Sequence, residues 1–289
     1  MADTLRLAAA QLSMAESVEE NLGRAEEAVL RAARLGAKVV LLPELFAYRY
    51  FPQREDEAWF SWAHPVEGHP YLGRFGDLAR RLGLVLPVSF FERAGQAYFN
   101  SLALLGPEGL LGVYRKAHIP DGPGYEEKFY FAGGDRGFPC WETPFGRIGT
   151  AICWDQWFPE AARCMALQGA DLLLYPTAIG SEPEEAGELD TRAMWRLAML
   201  GHAVSNSCYL AAANRVGQEG AAIFYGNSFI ADPKGTVLAE ASSEAEVIFA
   251  DLDLAWARRF RAGMGFFRDR RPELYAPLLT LDGRGGSAK

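Results

Sequence analysis

The chain has 289 residues, 49% hydrophobic and 23% charged, with a net charge of −8, which suits a globular protein of one large α/β domain or two smaller ones. The acidic balance and the lack of any Lys/Arg run argue against nucleic-acid binding and fit a cationic or neutral ligand as well as they fit plain solubility. No apolar stretch approaches the ~18 residues that span a bilayer, and Met1-Ala2-Asp3-Thr4-Leu5-Arg6 lacks a leader pattern. The expectation is therefore a cytoplasmic protein with no membrane partner.

In chain order, Leu5–Ser13 reads as a strand and Glu19–Leu35 as a helix with apolar residues at three- and four-residue spacing. Lys38–Leu42 is a short apolar strand ending at Pro43-Glu44, and Tyr71–Leu82 is a helix stopped by Gly83. Leu84–Phe91 and Ala97–Leu105 flank Ala94-Gly95-Gln96 as a hairpin, and Gly109–Tyr114 continues the sheet. Arg115–Gly137 is a long loop rich in Gly, Pro and aromatics, the kind that carries function. A strand pair turns at Gly146, its second run Arg147–Ile152 leads into Cys153, and a helix runs from Pro159 to Gln168. Then come the strand Leu172–Tyr175, the acidic loop Thr177–Leu189, the helix Asp190–Asn206 and strands Cys208–Asn214, Phe224–Asp232, Thr236–Leu238 and Val247–Asp253. Hairpins mixed with helical crossovers imply mixed sheets, and one-sided helices need sheets to cover. The predicted fold is an α/β four-layer α-β-β-α sandwich. It forms one domain over 1–282 with a C-terminal arm from about 254, followed by a frayed Gly/Ser/Lys tail, Gly283–Lys289.

Four cysteines, Cys140, Cys153, Cys164 and Cys208, are scattered without CxxC spacing, against a zinc site or a disulfide framework. No metal and no cofactor is expected. A lone cysteine is most often a buried hydrophobe, but Cys153 follows a strand and precedes the helix opening near Pro159, where a helix dipole favours the thiolate. A cysteine nucleophile needs a base and an oxyanion stabiliser. None of His64, His69, His118 and His202 sits in a context that marks a Cys–His dyad, though such a thiol enzyme stays open. Glu44 directly after a buried strand is costly unless used or paired. Lys116 follows another strand, so Glu44, Lys116 and Cys153 share the strand ends where open α/β sheets place their sites.

Glu44 in Leu41-Leu42-Pro43-Glu44, Lys116 in Tyr114-Arg115-Lys116-Ala117-His118 and Cys153 in Ile152-Cys153-Trp154-Asp155 resemble the Glu-Lys-Cys signature of the nitrilase superfamily. Within it, His118–Tyr125, Glu127–Phe131, Cys153–Arg163, Tyr175–Pro183 and Arg268–Tyr275 resemble the N-carbamoylputrescine amidases, a likeness running from about Leu5 to Leu281. The resemblance implies Cys153 as nucleophile, Glu44 as general base, Lys116 with the Trp154 N–H as oxyanion stabiliser and Glu127 as a second acid. It also implies substrate contacts from Trp154, Tyr48, Thr177 and Ala178, with Glu182 facing the ammonium of a small cationic ureido substrate, and assembly into homo-oligomers. An Arg49 pointing inward would oppose such a substrate. The same machinery would serve an N-carbamoyl-β-alanine or N-carbamoyl amino acid amidohydrolase or an ω-amidase, and a catalytically silent binding protein is the reading from another class.

Overall fold

The computed structural model describes residues 4–181 and 191–284. Its elements begin β1 (Thr4–Gln11), α1 (Val18–Arg34), β2 (Val39–Leu41), α2 (Leu72–Leu82), β3 (Leu86–Ala94), β4 (Ala97–Gly106), β5 (Gly109–Arg115) and α3 (Glu127–Tyr130). They continue β6 (Cys140–Thr143), β7 (Gly146–Thr150), α4 (Pro159–Leu167), β8 (Leu172–Pro176), β9 (Gly180–Ser181), α5 (Thr191–Asn206) and β10 (Tyr209–Ala213). The last are β11 (Val216–Glu219), β12 (Ala222–Tyr225), β13 (Phe229–Ala231), β14 (Val237–Glu240), β15 (Glu246–Asp253) and α6 (Leu254–Met264).

Alternation along the strands sets the layers. Leu5, Leu7 and Ala9 of β1 and Val39 and Leu41 of β2 join the core that also holds Leu172, Leu174 and Leu210 of the other sheet. Ala8, Ala10 and Val40 face the opposite way, onto Ala25 and Val29 of α1 and Phe75 and Leu78 of α2, as a period of two requires. One sheet runs β15-β1-β2 and is extended to β3-β4-β5 by pairing at Val85, whose N–H and carbonyl bond Lys38 and Val40. The other runs β14-β13-β10-β8-β7-β6, with α4 against β7 and α5 against β10 on its outer side. The predicted α-β-β-α sandwich of mixed sheets is what forms.

Helix ends obey local chemistry. Ser17 caps α1 by accepting from the Glu20 N–H, and Gly83 ends α2 in the left-handed region at φ 62°, where only glycine is unstrained. Two expectations are corrected. The single strand Phe224–Asp232 is instead β12 and β13, because Gly226 (φ 66°) and Asn227 (φ 56°) turn the chain between them, and β11–β12–β9 form a small separate sheet. Cys153 is not at the mouth of α4: it opens its own short helical turn, Cys153–Trp157, before Pro159 starts α4. All four cysteines are unpaired. Among the described residues no helix is long and apolar enough to cross a membrane.

Candidate active site

The two sheets bring their carboxyl ends to one place. β1, β2, β3 and β5 point the same way in the first sheet, and β7, β8 and β10 are mutually parallel in the second. Glu44 lies just beyond β2 and Lys116 directly beyond β5, while Cys153 follows β7 and Ala178 follows β8. Lys116 Nζ bonds Glu44 Oε1 at 2.8 Å and Glu127 Oε2 at 2.7 Å, with all three side chains fully buried. Tyr50 donates its hydroxyl to Glu127 Oε1 at 2.6 Å, so both oxygens of Glu127 are held. Asn100 Nδ2 donates to Glu44 Oε1 at 2.6 Å, whereas Glu44 Oε2 is buried with no hydrogen-bond partner among the described residues. Cys153 Sγ lies 3.7 Å from the Ala178 carbonyl oxygen.

Two buried braces hold these groups. Asp155, two residues past the thiol, accepts from the Tyr114 hydroxyl and the Ile152 N–H on one oxygen, and from the His118 N–H and ring Nδ1 on the other. Tyr114 and His118 flank Lys116, so one carboxylate ties the lysine segment to the cysteine turn. Arg215, itself fully buried, donates to the carbonyls of Glu44, Leu45 and Tyr48 and pairs with Glu219, which accepts the Tyr50 N–H. The segments that carry Glu44 and Cys153 both hold left-handed non-glycine residues, Leu45 at φ 48° and Cys153 at φ 39°. Such conformations cost about 1–3 kcal/mol each and persist where the surroundings fix them.

Above the thiol opens a pocket of about 270 Å³, walled by Tyr125, Trp154, Trp157, Ile179 and Met194, with Asp121 among its lining residues. Burial pushes the Cys153 thiol well above its usual range, and Glu44 adds to the rise, Lys116 opposes it and Glu127 adds again. Burial and Glu44 thus work against the dipole-favoured thiolate expected from the sequence. For Lys116, burial works downward, but the Glu127 and Glu44 carboxylates outweigh it and hold the ammonium above its usual value. Burial raises Glu127, with Lys116 pulling it back. The arrangement is a buried thiol beside one lysine shared by two acidic side chains, one of which keeps an open oxygen. Such a set can move a proton off sulfur and hold an oxyanion.

Residues 6–262 match the carbon-nitrogen hydrolase family. The chain belongs to that family. It is similar to the N-carbamoylputrescine amidase of Arabidopsis thaliana, 50% identical over 283 residues with 94% of each chain covered. It is also similar to the citrullinase of Francisella tularensis, 46% identical with 95% of this chain and 98% of that one covered. Among solved structures, a carbon-nitrogen hydrolase from Helicobacter pylori superposes with a TM-score of 0.90 at 36% identity, covering 96% of this chain and 99% of that one.

Within this carbon-nitrogen hydrolase the site residues named from sequence fall in three groups. Glu44, Lys116 and Glu127 meet in one buried cluster beside the pocket that Cys153, Trp154 and Ala178 line. Tyr48 and Thr177 are not in the lining. Tyr48 stacks on Trp62 at 4.5 Å and donates to the Trp62 carbonyl, inside an aromatic core, and Thr177 spends its hydroxyl on Tyr175 and Gln156. Glu182 lies outside the described residues. Arg49 pairs with Glu16 and Gln218, away from the lining. His118 bonds Asp155 and His202 bonds the Gln156 carbonyl, so neither ring uses those nitrogens on the thiol. Sequence reasoning missed Asn100, Tyr50, Asp155 and Arg215. The one available signal was a polar residue within an apolar strand, as at Asn100.

Proposed function

We propose that this carbon-nitrogen hydrolase converts N-carbamoylputrescine and water to putrescine, carbon dioxide and ammonia, supplying putrescine for polyamine synthesis. The observation that carries the reading is the buried Glu44–Lys116–Glu127 cluster beside the Cys153 thiol, in a chain half identical to a relative of that name. Cys153 gives its proton to Glu44 Oε2 as sulfur bonds the ureido carbon, and the carbonyl electrons move onto oxygen. Proton transfer leaves Glu44 neutral, which frees the Lys116 charge for the new oxyanion, with the Trp154 N–H as second donor. Collapse breaks the C–N bond and returns the Glu44 proton to the departing nitrogen. Water then repeats the cycle on the thioester-like carbon, Cys153 leaves as a thiol, and the carbamic acid formed loses carbon dioxide.

The pocket's chemistry favours a cationic far end. Among the described residues its lining contains no Lys, Arg or His, and of its carboxylates Glu127 is already held by Lys116 and Tyr50. Asp121 is half-exposed, with Lys128 3.9 Å away, and aromatic walls also attract ammonium groups. The stretch between Ser181 and Thr191 carries Glu182, Glu184, Glu185, Glu188 and Asp190 and no basic residue. Glu182 and Asp121 are our candidate partners for the ammonium. A second reading, citrulline, is favoured by the Francisella relative's name. Turnover of N-carbamoylputrescine, citrulline and N-carbamoyl-β-alanine separates them. The expected order puts N-carbamoylputrescine first in kcat/KM by at least about tenfold, the low end of what even a one-methylene misfit in a pocket gives. Equal or faster turnover of either carboxylate-bearing compound would overturn the assignment.

A further inference from the structure

We propose that Asn100 is a positioning residue for the reaction: with Lys116 it pins Oε1 of Glu44, so that Oε2 alone exchanges the proton. This rests on the reading of Glu44 as the base. Asn100 lies in β4, pairs with Phe91 of β3, and is fully buried. Its Nδ2 and the Lys116 Nζ reach the same carboxylate oxygen, at 2.6 and 2.8 Å. Its own carbonyl accepts the Lys116 N–H at 2.8 Å, so one residue sets the position of both partners.

The bonding is lopsided in a way that packing does not require. Among the described residues, Glu44 Oε2 and Asn100 Oδ1 both lack a hydrogen-bond partner although both are buried. A buried amide that leaves its acceptor unpaired is a costly choice for a strand interior, where an aliphatic residue would fill the space. The gain is at Glu44. Two donors on Oε1 fix the carboxylate plane and leave a single acceptor for the proton of Cys153 and, in the second half-reaction, of water. Glu127 shows the contrast, because Tyr50 and Lys116 occupy one oxygen each. Of the two carboxylates only Glu44 keeps an open oxygen.

The test is Asn100→Leu, which keeps the side chain's bulk and removes its donor, with Asn100→Ala used if the first does not fold. Both are assayed beside Glu44→Gln on N-carbamoylputrescine. Asn100 does not line the pocket, so the expected result is a kcat about 30-fold lower, the scale of one hydrogen bond to a charged group, with KM within twofold. A folded variant with wild-type kcat, or a loss carried wholly by KM, would overturn the proposal. Glu44→Gln separates the two levels. If it is inactive while Asn100→Leu is fully active, only the role of Asn100 falls. If it turns over at the wild-type rate, the base assignment falls and takes this inference with it.

Discussion

At the residue scale, the same carboxylate holds the Cys153 proton in place and is proposed to remove it. After burial, Glu44 is the largest influence raising the thiol, and Lys116 opposes it. Replacing Glu44 by Gln deletes a negative charge next to sulfur, and a nearby negative charge disfavours thiolate. The thiol of Glu44→Gln should therefore ionise at lower pH than the wild type. Turnover should move the opposite way, falling about 10²–10⁴-fold, because no acceptor remains for the proton. The measurement is the iodoacetamide labelling rate of the Cys153 peptide against pH, followed by mass spectrometry. The midpoint should shift down in the variant while hydrolysis is lost. A midpoint that stays put or moves up would mean that Glu44 does not act on the thiol electrostatically.

At the scale of elements, Asp155 joins what β5 and β7 deliver separately. Its four accepted bonds reach Tyr114, His118 and Ile152, on both sides of Lys116 and directly before Cys153. In Asp155→Asn an N–H₂ faces donors that the carboxylate satisfied. The expected cost is about 2–4 kcal/mol, the usual scale for a broken buried network, seen as a lower melting temperature by calorimetry. Displacing Lys116 from Cys153 should also reduce kcat about 10–100-fold, since misplacements near 1 Å carry that penalty. A variant that melts and turns over like the wild type would remove the brace from the account. Glu44, Lys116 and Cys153 each stand just beyond an apolar run, so local pattern alone brought them to strand ends and hence near one another. Asn100, Tyr50 and Arg215 act through partners far away in the chain, such as Arg215 on the Glu44 carbonyl and Tyr50 on Glu127. No local period encodes such pairings. Tyr48 packs on Trp62 for a related reason: with Leu45 left-handed just ahead of it, it is Tyr50, two residues on, that reaches Glu127.

At the scale of the whole molecule, the residues that follow α6 leave large aliphatic side chains in solvent. α6 is anchored by buried Leu254 and Ala257, after which the chain makes two short turns, Pro272–Leu274 and Ala276–Leu279. Their leucines stay in solvent: Leu278 is 63% exposed and Leu279 is 88% exposed. Leu197 on the outer face of α5 is likewise 71% exposed. Several large aliphatic side chains clustered on one arm are unusual for a monomer's surface, and such patches mark interaction sites. A second copy of the chain covering this segment would bury them. Each aliphatic side chain so buried would contribute about 1.5–3 kcal/mol, and two copies related by a two-fold axis gain it twice. Leu278→Glu with Leu279→Glu places charge where burial is needed without touching the pocket. Sedimentation at micromolar concentration should show the wild type as a dimer or larger and the double variant shifted to smaller species, with unchanged far-UV circular dichroism. A monomeric wild type, or a variant that keeps the wild-type size, would mean that the arm is not the joint.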